Sequence, residues 1–475
     1  MSIARTIWGD SVERYEIAII GSGPAGYVGA IKAARSGVPT CVIERGNLGG
    51  VCLNTGCIPT KAMVASAKAI RSARNSQEFG FNIQGPVNVA MDNLNHRKDR
   101  IVDIERKGIE GLVSKSGATI IKGHASFVDK NTLKISNAGG DQTIFSQNII
   151  IATGSKSAEL PFLPFDGKKV FSGEDLLSLE AIPDTMLIVG GGYIGSEYAS
   201  LFSTLGTKIT IIEALPNLVH GVDAEISRIL EREFKKEGIK LMLGSQITSA
   251  SVNDKVSVTL ADGTVVSADV ALVAVGRRPV SGGIGLENIG LPTMPNGAIR
   301  VNNQMATGIP GVYAVGDVVG NPMLAHVASA ECRVAVENAL GSRFIMDYTV
   351  VPAAIYTYPE IGSVGISEDK ALEMGMDIRV GRVLLRSLGI SHATGEIVGM
   401  AKIVADAISD AIIGVHVIGE RATDIMHEVA VAMFQGLSAS ALGHVIHAHP
   451  TFSEAIAEAS LDVHGETIYT ARKVA

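Results

Sequence analysis

The sequence predicts an α/β fold: two similar units built on parallel sheets, followed by a C-terminal α+β unit of different texture. Three observations carry this reading. Apolar runs such as "IIIA" (149–152) and "VALVAV" (270–275) are short and bounded by glycine or polar residues, as strands buried on both faces are. A strand running into a glycine-rich turn and then a helix occurs twice, at the same internal spacing. From about residue 350 no such turn appears, and pieces such as "AAIYTYPEIGSVGIS" and "AIIGVHVIG" alternate with helical stretches.

The totals narrow the possibilities before any motif is read. A chain of 475 residues is too long for one core, so several domains are expected. With 46% apolar residues, 19% charged and 53 glycines, it is globular and not disordered. A net charge of −7, with no run of five basic residues, gives no footprint for nucleic acid. No apolar stretch approaches the ~18 residues a membrane span needs. The first sixteen residues carry three acids and no apolar core, which disfavours a leader and points to a cytoplasmic protein. In a reducing compartment a close cysteine pair is more often catalytic or metal-binding than structural.

The first unit opens with "YEIAIIGSGPAGYVGAIKAARSGVPTCVIE" (15–44). A strand, Ile17 to Ile20, enters Gly21-Ser22-Gly23-Pro24-Ala25-Gly26, then a helix, then a second strand that ends at Glu44. Glycines there permit the tight turn and let backbone approach a pyrophosphate at the helix N-terminus, while the acid, 23 residues beyond Gly21, can accept ribose hydroxyls. The second unit repeats the pattern in "TMLIVGGGYIGSEYASLFSTLGTKITIIE" (185–213), on Gly190, Gly192 and Gly195, with Glu213 again 23 residues on. Two Rossmann-like dinucleotide sites follow. Nothing basic appears between Glu213 and Arg228, so no arginine waits for a 2′-phosphate and the second site should prefer NAD to NADP. "NIIIATGS" (148–155) reads as the exit strand of the first unit, "VALVAVGRRP" (270–279) as the close of the second, and "GIPGVYAVGD" (308–317) as a strand presenting Asp317 to a sugar-like hydroxyl.

Between the glycine turn and the rest of the first unit lies "GGVCLNTGCIPTK" (49–61), with Cys52 and Cys57. In a regular helix positions five apart point about 140° away from each other, so bonding the two sulfurs needs an irregular turn. Gly56 supplies that freedom, and Pro59 marks a helix beginning just after it. A helix N-terminus and Lys61 would lower a thiolate pKa. Taken alone, the pair admits three readings: a redox-active dithiol, a zinc site lacking its other ligands, or two inert buried thiols. "HAHPTFSEA" (447–455) is equally open, since Thr451 and Glu454 after Pro450 have capping-box spacing, and His444 and His447 could be surface residues. Cys41 and Cys332 read as core.

Together these segments closely resemble the pyridine nucleotide–disulfide oxidoreductases. "IIGSGPAGY", "GGVCLNTGCIPTK", "IIIATGS", "GGGYIGSE", "VGRRP", "VYAVGD", "MLAH", "YTYPEIGSVG" and "HAHPTFSEA" stand in that family's order, essentially end to end. The resemblance implies FAD at the first site, on Gly21, Gly23, Pro24, Ala25, Gly26, Glu44, Arg45, Gly50, Val51, Cys52, Lys61, Ala125, Thr153, Gly154, Asp317 and Ala325. It implies NAD at the second, on Gly190, Gly192, Tyr193, Ile194, Gly195, Glu213 and Gly276. No metal is implied. Lys61 is expected to pair with Glu197, although alone they would pass for an exposed lysine and an ordinary helix acid.

His449 then matches the family's catalytic base, held by Glu454 and supplied across a homodimer, so that the active site is shared between subunits. Expected boundaries are 1–155 and 283–350 for the two parts of the FAD-binding and central region, 156–282 for the NAD-binding domain and 351–475 for the dimerisation domain. The implied reaction oxidises protein-bound dihydrolipoamide to lipoamide through a Cys52–Cys57 disulfide and FAD, with hydride passing to NAD. Its partner would be a lipoyl-bearing acyltransferase or lipoyl carrier protein. The alternatives are an NAD(P)H-dependent disulfide reductase of the same family and a non-catalytic flavoprotein subunit. A mercuric reductase would carry a further cysteine pair near the C-terminus, where this chain ends "HGETIYTARKVA". Departures from the common pattern stand at Val280, Val327, Tyr358 and 386–396.

Overall fold

The computed structural model describes residues 12–320 and 322–469, and the elements below are those of the described residues. Residues 1–11 and 470–475, on which the readings of a leader and of the C-terminal end partly rest, lie outside them. The first unit runs β1 (Glu13–Ile20), α1 (Pro24–Arg35), β2 (Thr40–Glu44), α2 (Gly50–Asn54), α3 (Cys57–Arg74), α4 (Met91–Lys115), β3 (Thr119–Lys122), β4 (His124–Asp129), β5 (Thr132–Asn137) and β6 (Gly140–Ile151). Its sheet has the order β3-β2-β1-β6-β5-β4. β1, β2, β3 and the end of β6 pair in parallel, with Ile17 to Ile20 beside Thr40 to Ile43 on one side and Asn148 to Ile151 on the other. Ile17, Ile19, Ile149, Ile150 and Ile151 are wholly buried. Removing each from water stabilises the fold by roughly 1.5–3 kcal/mol, and the sheet needs helices on both faces to do it.

A short antiparallel pair, β7 (Ser155–Ser157), leads into the second unit and its partner leads out again. That unit comprises β8 (Val170–Phe171), α5 (Gly173–Leu176), β9 (Thr185–Val189), α6 (Tyr193–Leu205), β10 (Lys208–Ile212), α7 (Ala224–Lys236), β11 (Lys240–Met242), the antiparallel strands β12 (Ile247–Val252), β13 (Val256–Leu260) and β14 (Val265–Ala268), and β15 (Val270–Val273). The main sheet has the order β11-β10-β9-β15-β8, all parallel. β16 (Arg277–Pro279) pairs with β7, and β17 (Val312–Ala314) returns to the first sheet, parallel to β6. α8 (Ala325–Ala339) then covers α1.

The third unit is a single antiparallel sheet. β18 (Ala353–Ile355), β19 (Ile361–Gly365), α9 (Glu368–Glu373), β20 (Ile378–Leu384), α10 (Gly389–Thr394), β21 (Met400–Asp406), β22 (Ile412–Ile418), α11 (Ala422–Phe434), α12 (Ala439–Gly443) and α13 (Glu454–Asp462) follow in that order. The strands lie as β18-β19-β22-β21-β20, and the residues of β21 up to Ala405 are buried on both faces. The α/β architecture with an α+β C-terminal unit agrees with the sequence expectation. Among the described residues no helix is long and apolar enough to cross a membrane.

Candidate active site

The two glycine turns are built alike. Gly21 and Gly190 have φ of +101° and +103°, which a side chain rarely adopts. A Cβ on Gly26 would stand 1.9 Å from the carbonyl oxygen of Gly21, and one on Gly195 would stand 1.9 Å from that of Gly190. These third glycines let helix and turn touch. The middle glycines differ: around Gly192 nothing lies within 4 Å of such a Cβ, and around Gly23 only Gly50 Cα, at 4.0 Å. Both helices begin there with no side-chain cap and no acid in the first turn, so their first N–H groups remain free for an anion. Pro24 and Ala25 open α1, and Tyr193 and Ile194 open α6.

The two acids are held alike too. Glu44 accepts from Ser22 N–H at 3.0 Å and Gly46 N–H at 2.7 Å. Glu213 accepts from Gly191 N–H at 2.6 Å and Leu215 N–H at 2.8 Å. Each carboxylate thus lies on its own glycine turn, where ribose hydroxyls would meet it. The residues present fit FAD at the first turn and NAD at the second.

The other residues expected at the two cofactors are placed as follows. Gly49 N–H donates to Ser22 carbonyl, which docks α2, with Gly50 and the exposed Val51 at its start, onto the fingerprint. Thr153 Oγ donates to the backbone carbonyl of Val280 at 2.6 Å, so the departure at Val280 leaves that contact intact. Gly154 has φ of +73°, and Ser155 Oγ donates to Asp317. Ala325 is the first residue of α8, whose Ser329 reaches Pro24 carbonyl. Gly276, with φ of +121°, accepts Ala158 N–H between the two units. Arg45 is exposed just past Glu44, and Ala125 is buried on β4, opposite Ile135.

The cysteine segment is a five-residue helix, α2, and the start of the 18-residue α3, broken at Thr55-Gly56. A helix does begin nearby, but at Cys57 and not after Pro59, because proline is tolerated in a first turn, where its missing N–H has no partner to lose. Gly56 is required by contact: a Cβ there would lie 2.9 Å from Val51 carbonyl oxygen. The break brings the two thiols into mutual hydrogen bonding, with both cysteines free. The bond from Cys52 lowers Cys57 to about 7; burial opposes this and Lys61 reinforces it. The same bond, together with burial, pushes Cys52 upward. Cys57, first residue of α3, is the member of the pair in which the thiolate is favoured; Cys41 and Cys332 are wholly buried, their thiols pushed up by burial.

Lys61 and Glu197 meet, with Nζ at 3.0 and 2.8 Å from the two carboxylate oxygens. Burial alone would lower Lys61, but Glu197 more than reverses that and raises it. Tyr356 N–H also donates to Glu197, at 2.8 Å, and the Lys61 ammonium lies over the Tyr356 ring. Tyr356 was missed by the sequence reading; a backbone donor from 159 residues away leaves no trace in residue type.

The histidine motif lies apart from the cysteines. His449 Nδ1 and Glu454 Oε1 are 2.8 Å apart, the imidazole is 71% exposed, and no hydrogen bond among the described residues joins it to the cysteine segment. Glu454 Oε2 accepts Thr451 N–H; burial raises its carboxyl, but the bonds from His449 and Thr451 leave it lowered. Only half of the expected capping box forms. The helix starts at Glu454, not Pro450, and the Thr451 hydroxyl turns back to Ala448 carbonyl. His447 is not a surface residue either, since its ring is covered and Nε2 lies 3.3 Å from Glu428. His444 is exposed.

A dithiol flanked by an ion pair, set beside two dinucleotide turns, defines a flavin- and nicotinamide-linked disulfide oxidoreductase. Residues 15–332 match the pyridine nucleotide-disulphide oxidoreductase family and residues 351–460 its dimerisation domain, and the chain belongs to this family. Its cofactors are FAD and NAD. The chain is 38% identical to a dihydrolipoyl dehydrogenase of Bacillus subtilis, across 96% of this chain and 99% of that one. It is 37% identical to mitochondrial dihydrolipoyl dehydrogenase 1 of Arabidopsis thaliana, across 98% and 94%. Among solved structures it is similar to LpdA of Mycobacterium tuberculosis, with a TM-score of 0.88 and 27% identity over 94% of this chain and 99% of that one. The dimerisation domain supports a homodimer.

Proposed function

We propose that the chain, as a homodimer, oxidises dihydrolipoamide carried on a protein to lipoamide and reduces NAD⁺. The observation that carries this reading is the Cys52–Cys57 pair set across the Gly56 break between two helices, with the Lys61–Glu197 ion pair one turn further along the second. In its oxidised form this pair is a disulfide. A substrate thiolate attacks the sulfur of Cys52, Cys57 leaves as the stabilised thiolate, and the second substrate thiol displaces Cys52 to close lipoamide. His449 of one subunit removes the substrate's thiol proton at the dithiol of the other, its ring oriented through Nδ1 by Glu454. The turn at Gly21–Gly26 with Glu44 would hold FAD and the turn at Gly190–Gly195 with Glu213 would hold NAD⁺; when bound, these groups would supply the redox chemistry that reoxidises the dithiol. Lys61 and Glu197 hold charge beside the thiolate while the glycine turns bind the two dinucleotides. The acid at 213 with no following arginine favours NAD⁺ over NADP⁺. Domain limits near 155, 282 and 350 are part of this reading; the β7–β16 crossing and the antiparallel sheet that begins at Ala353 support them.

The test is anaerobic reduction of NAD⁺ followed at 340 nm with dihydrolipoamide as donor, repeated with NADP⁺ and with Cys57→Ser. Rapid NADH formation, poor use of NADP⁺ and loss in the variant are expected. A yellow protein that ignores dihydrolipoamide but oxidises NADH with another disulfide would overturn the substrate.

A further inference from the structure

The most deeply buried charges of the described residues lie outside the reacting centre. The side chain of Lys402, on β21, is 2% exposed, and that of Asp223, just before α7, is 0%. Lys402 Nζ stands 2.9 and 2.8 Å from the two oxygens of Asp223, 2.7 Å from Glu368 and 3.2 Å from Glu225. Arg382 closes the rim against Glu225 and Glu368. His416, wholly buried on β22, sits nearby with Ser363 and the Ile366 carbonyl on its two nitrogens. Asp223 and Glu225 belong to the second unit; the other charged groups belong to the antiparallel sheet.

What Asp223 anchors is the return from Glu213. Between them, Leu218 packs so closely on Gly191 that a Cβ there would stand 2.5 Å from its methyl carbon. Val219 N–H donates to Gly191 carbonyl at 2.8 Å, and Val219 holds a positive φ of 45°. One end of this loop is therefore tied to the glycine turn through Glu213, Leu218 and Val219. The other is the cap of α7, where Asp223 also accepts Glu225 N–H. That end is fixed by a lysine from another unit.

We propose that Lys402 is a positioning residue for the dinucleotide: docked in the antiparallel sheet, it fixes the 214–223 loop and through it the Glu213 carboxylate and Gly191. The affinity of the second site then depends on how the C-terminal unit seats against it. A cation buried to this degree is held by its partners, and removing one partner leaves the others as uncompensated charge. Asp223 released from Lys402 moves toward water, and the loop with it. The inference rests on the reading of the second turn as the NAD site.

The experiment uses the FAD-loaded dimer. Lys402→Met, Asp223→Asn and the double variant are compared with the unaltered chain for KM of NAD⁺, KM of dihydrolipoamide and kcat, below each melting temperature. Lys402→Met is expected to raise KM for NAD⁺ about tenfold, with kcat and KM for dihydrolipoamide within about twofold. The double variant, with both charges removed, should recover part of the loss. A folded Lys402→Met dimer that melts earlier but keeps its KM for NAD⁺ within twofold would overturn the proposal. If Lys402→Met does not fold, Asp223→Asn decides in the same way, because it keeps the cap. Failure of the unaltered chain to reduce NAD⁺ would instead defeat the proposed function.

Discussion

Gly195→Ala and Gly192→Ala, three residues apart, should separate helix packing from dinucleotide binding. The added methyl at 195 would lie 1.9 Å from Gly190 carbonyl oxygen, 3.1 Å from its carbon and 3.2 Å from Ile188 Cγ2. A carbon and a carbonyl oxygen come no closer than about 3.3 Å, so α6 must back away from β9 by over 1 Å. Both clashing atoms are backbone, so no rotamer can relieve them, and overpacking of this kind costs about 1–3 kcal/mol. α6 also carries Glu197, so its displacement loosens the bond to Lys61. At 192, the N-cap of α6, the methyl meets nothing within 4 Å of the protein, so any cost it has must fall on the ligand. Gly195→Ala should lower the melting temperature and raise KM for NAD⁺ at least tenfold. Gly192→Ala should raise KM for NAD⁺ while melting within about a degree of the parent. FAD content, read from flavin absorbance, should hold in both. Parental stability together with parental KM in Gly195→Ala would refute the packing argument.

Mixing Cys57→Ser and His449→Gln subunits tests the shared site: each homodimer should be nearly inactive, while random heterodimers, each with one complete site, should restore about a quarter of parental activity. No recovery after verified exchange would place both groups in one subunit's site. Glu213→Gln should weaken NAD⁺ without admitting NADP⁺, since no arginine follows to take the 2′-phosphate; a gain in NADP⁺ turnover would contradict that.

The parts legible in the sequence are those fixed locally. Gly21 and Gly190 must take a positive φ, Gly26 and Gly195 must let backbone meet backbone, and buried parallel strands must be continuously apolar, so residue type reports each directly. The cysteine segment was legible by resemblance, and Gly56 by its freedom, although the helix starts two residues before Pro59. Contacts between distant segments were not legible. Nothing in the sequence singles out Lys402 or Asp223, and only the docking of two units makes them a buried pair 179 residues apart. His447 reads as a surface histidine until Glu428 of α11 covers it. Tyr356 contributes a peptide N–H, which every residue but proline possesses.

Glu197 is where the three units meet: it lies on α6, pairs with Lys61 of α3, and accepts the N–H of Tyr356 at the entry to the antiparallel sheet. This arrangement makes opposite predictions for its two charged members. Cys57 is lowered to about 7, chiefly by the Cys52 thiol; Lys61 lowers it too, whereas Glu197 raises it. Lys61→Met removes a favourable cation and leaves the carboxylate, so the thiolate of the reduced enzyme should form at higher pH. Glu197→Gln leaves the cation, keeps an acceptor for Tyr356 N–H and removes the repulsion, so the thiolate should form at lower pH. A group with a depressed native pKa contributes stability above its unfolded value and loses it as pH falls through the native one. The reduced dimer should therefore lose part of its stability on acidification from about 9 through 7. Thiolate absorbance near 240 nm, titrated anaerobically from about pH 5 to 10, reads all three proteins. Shifts in the same direction for both variants would mean that Lys61 and Glu197 act on Cys57 by shaping the segment, not by their charges.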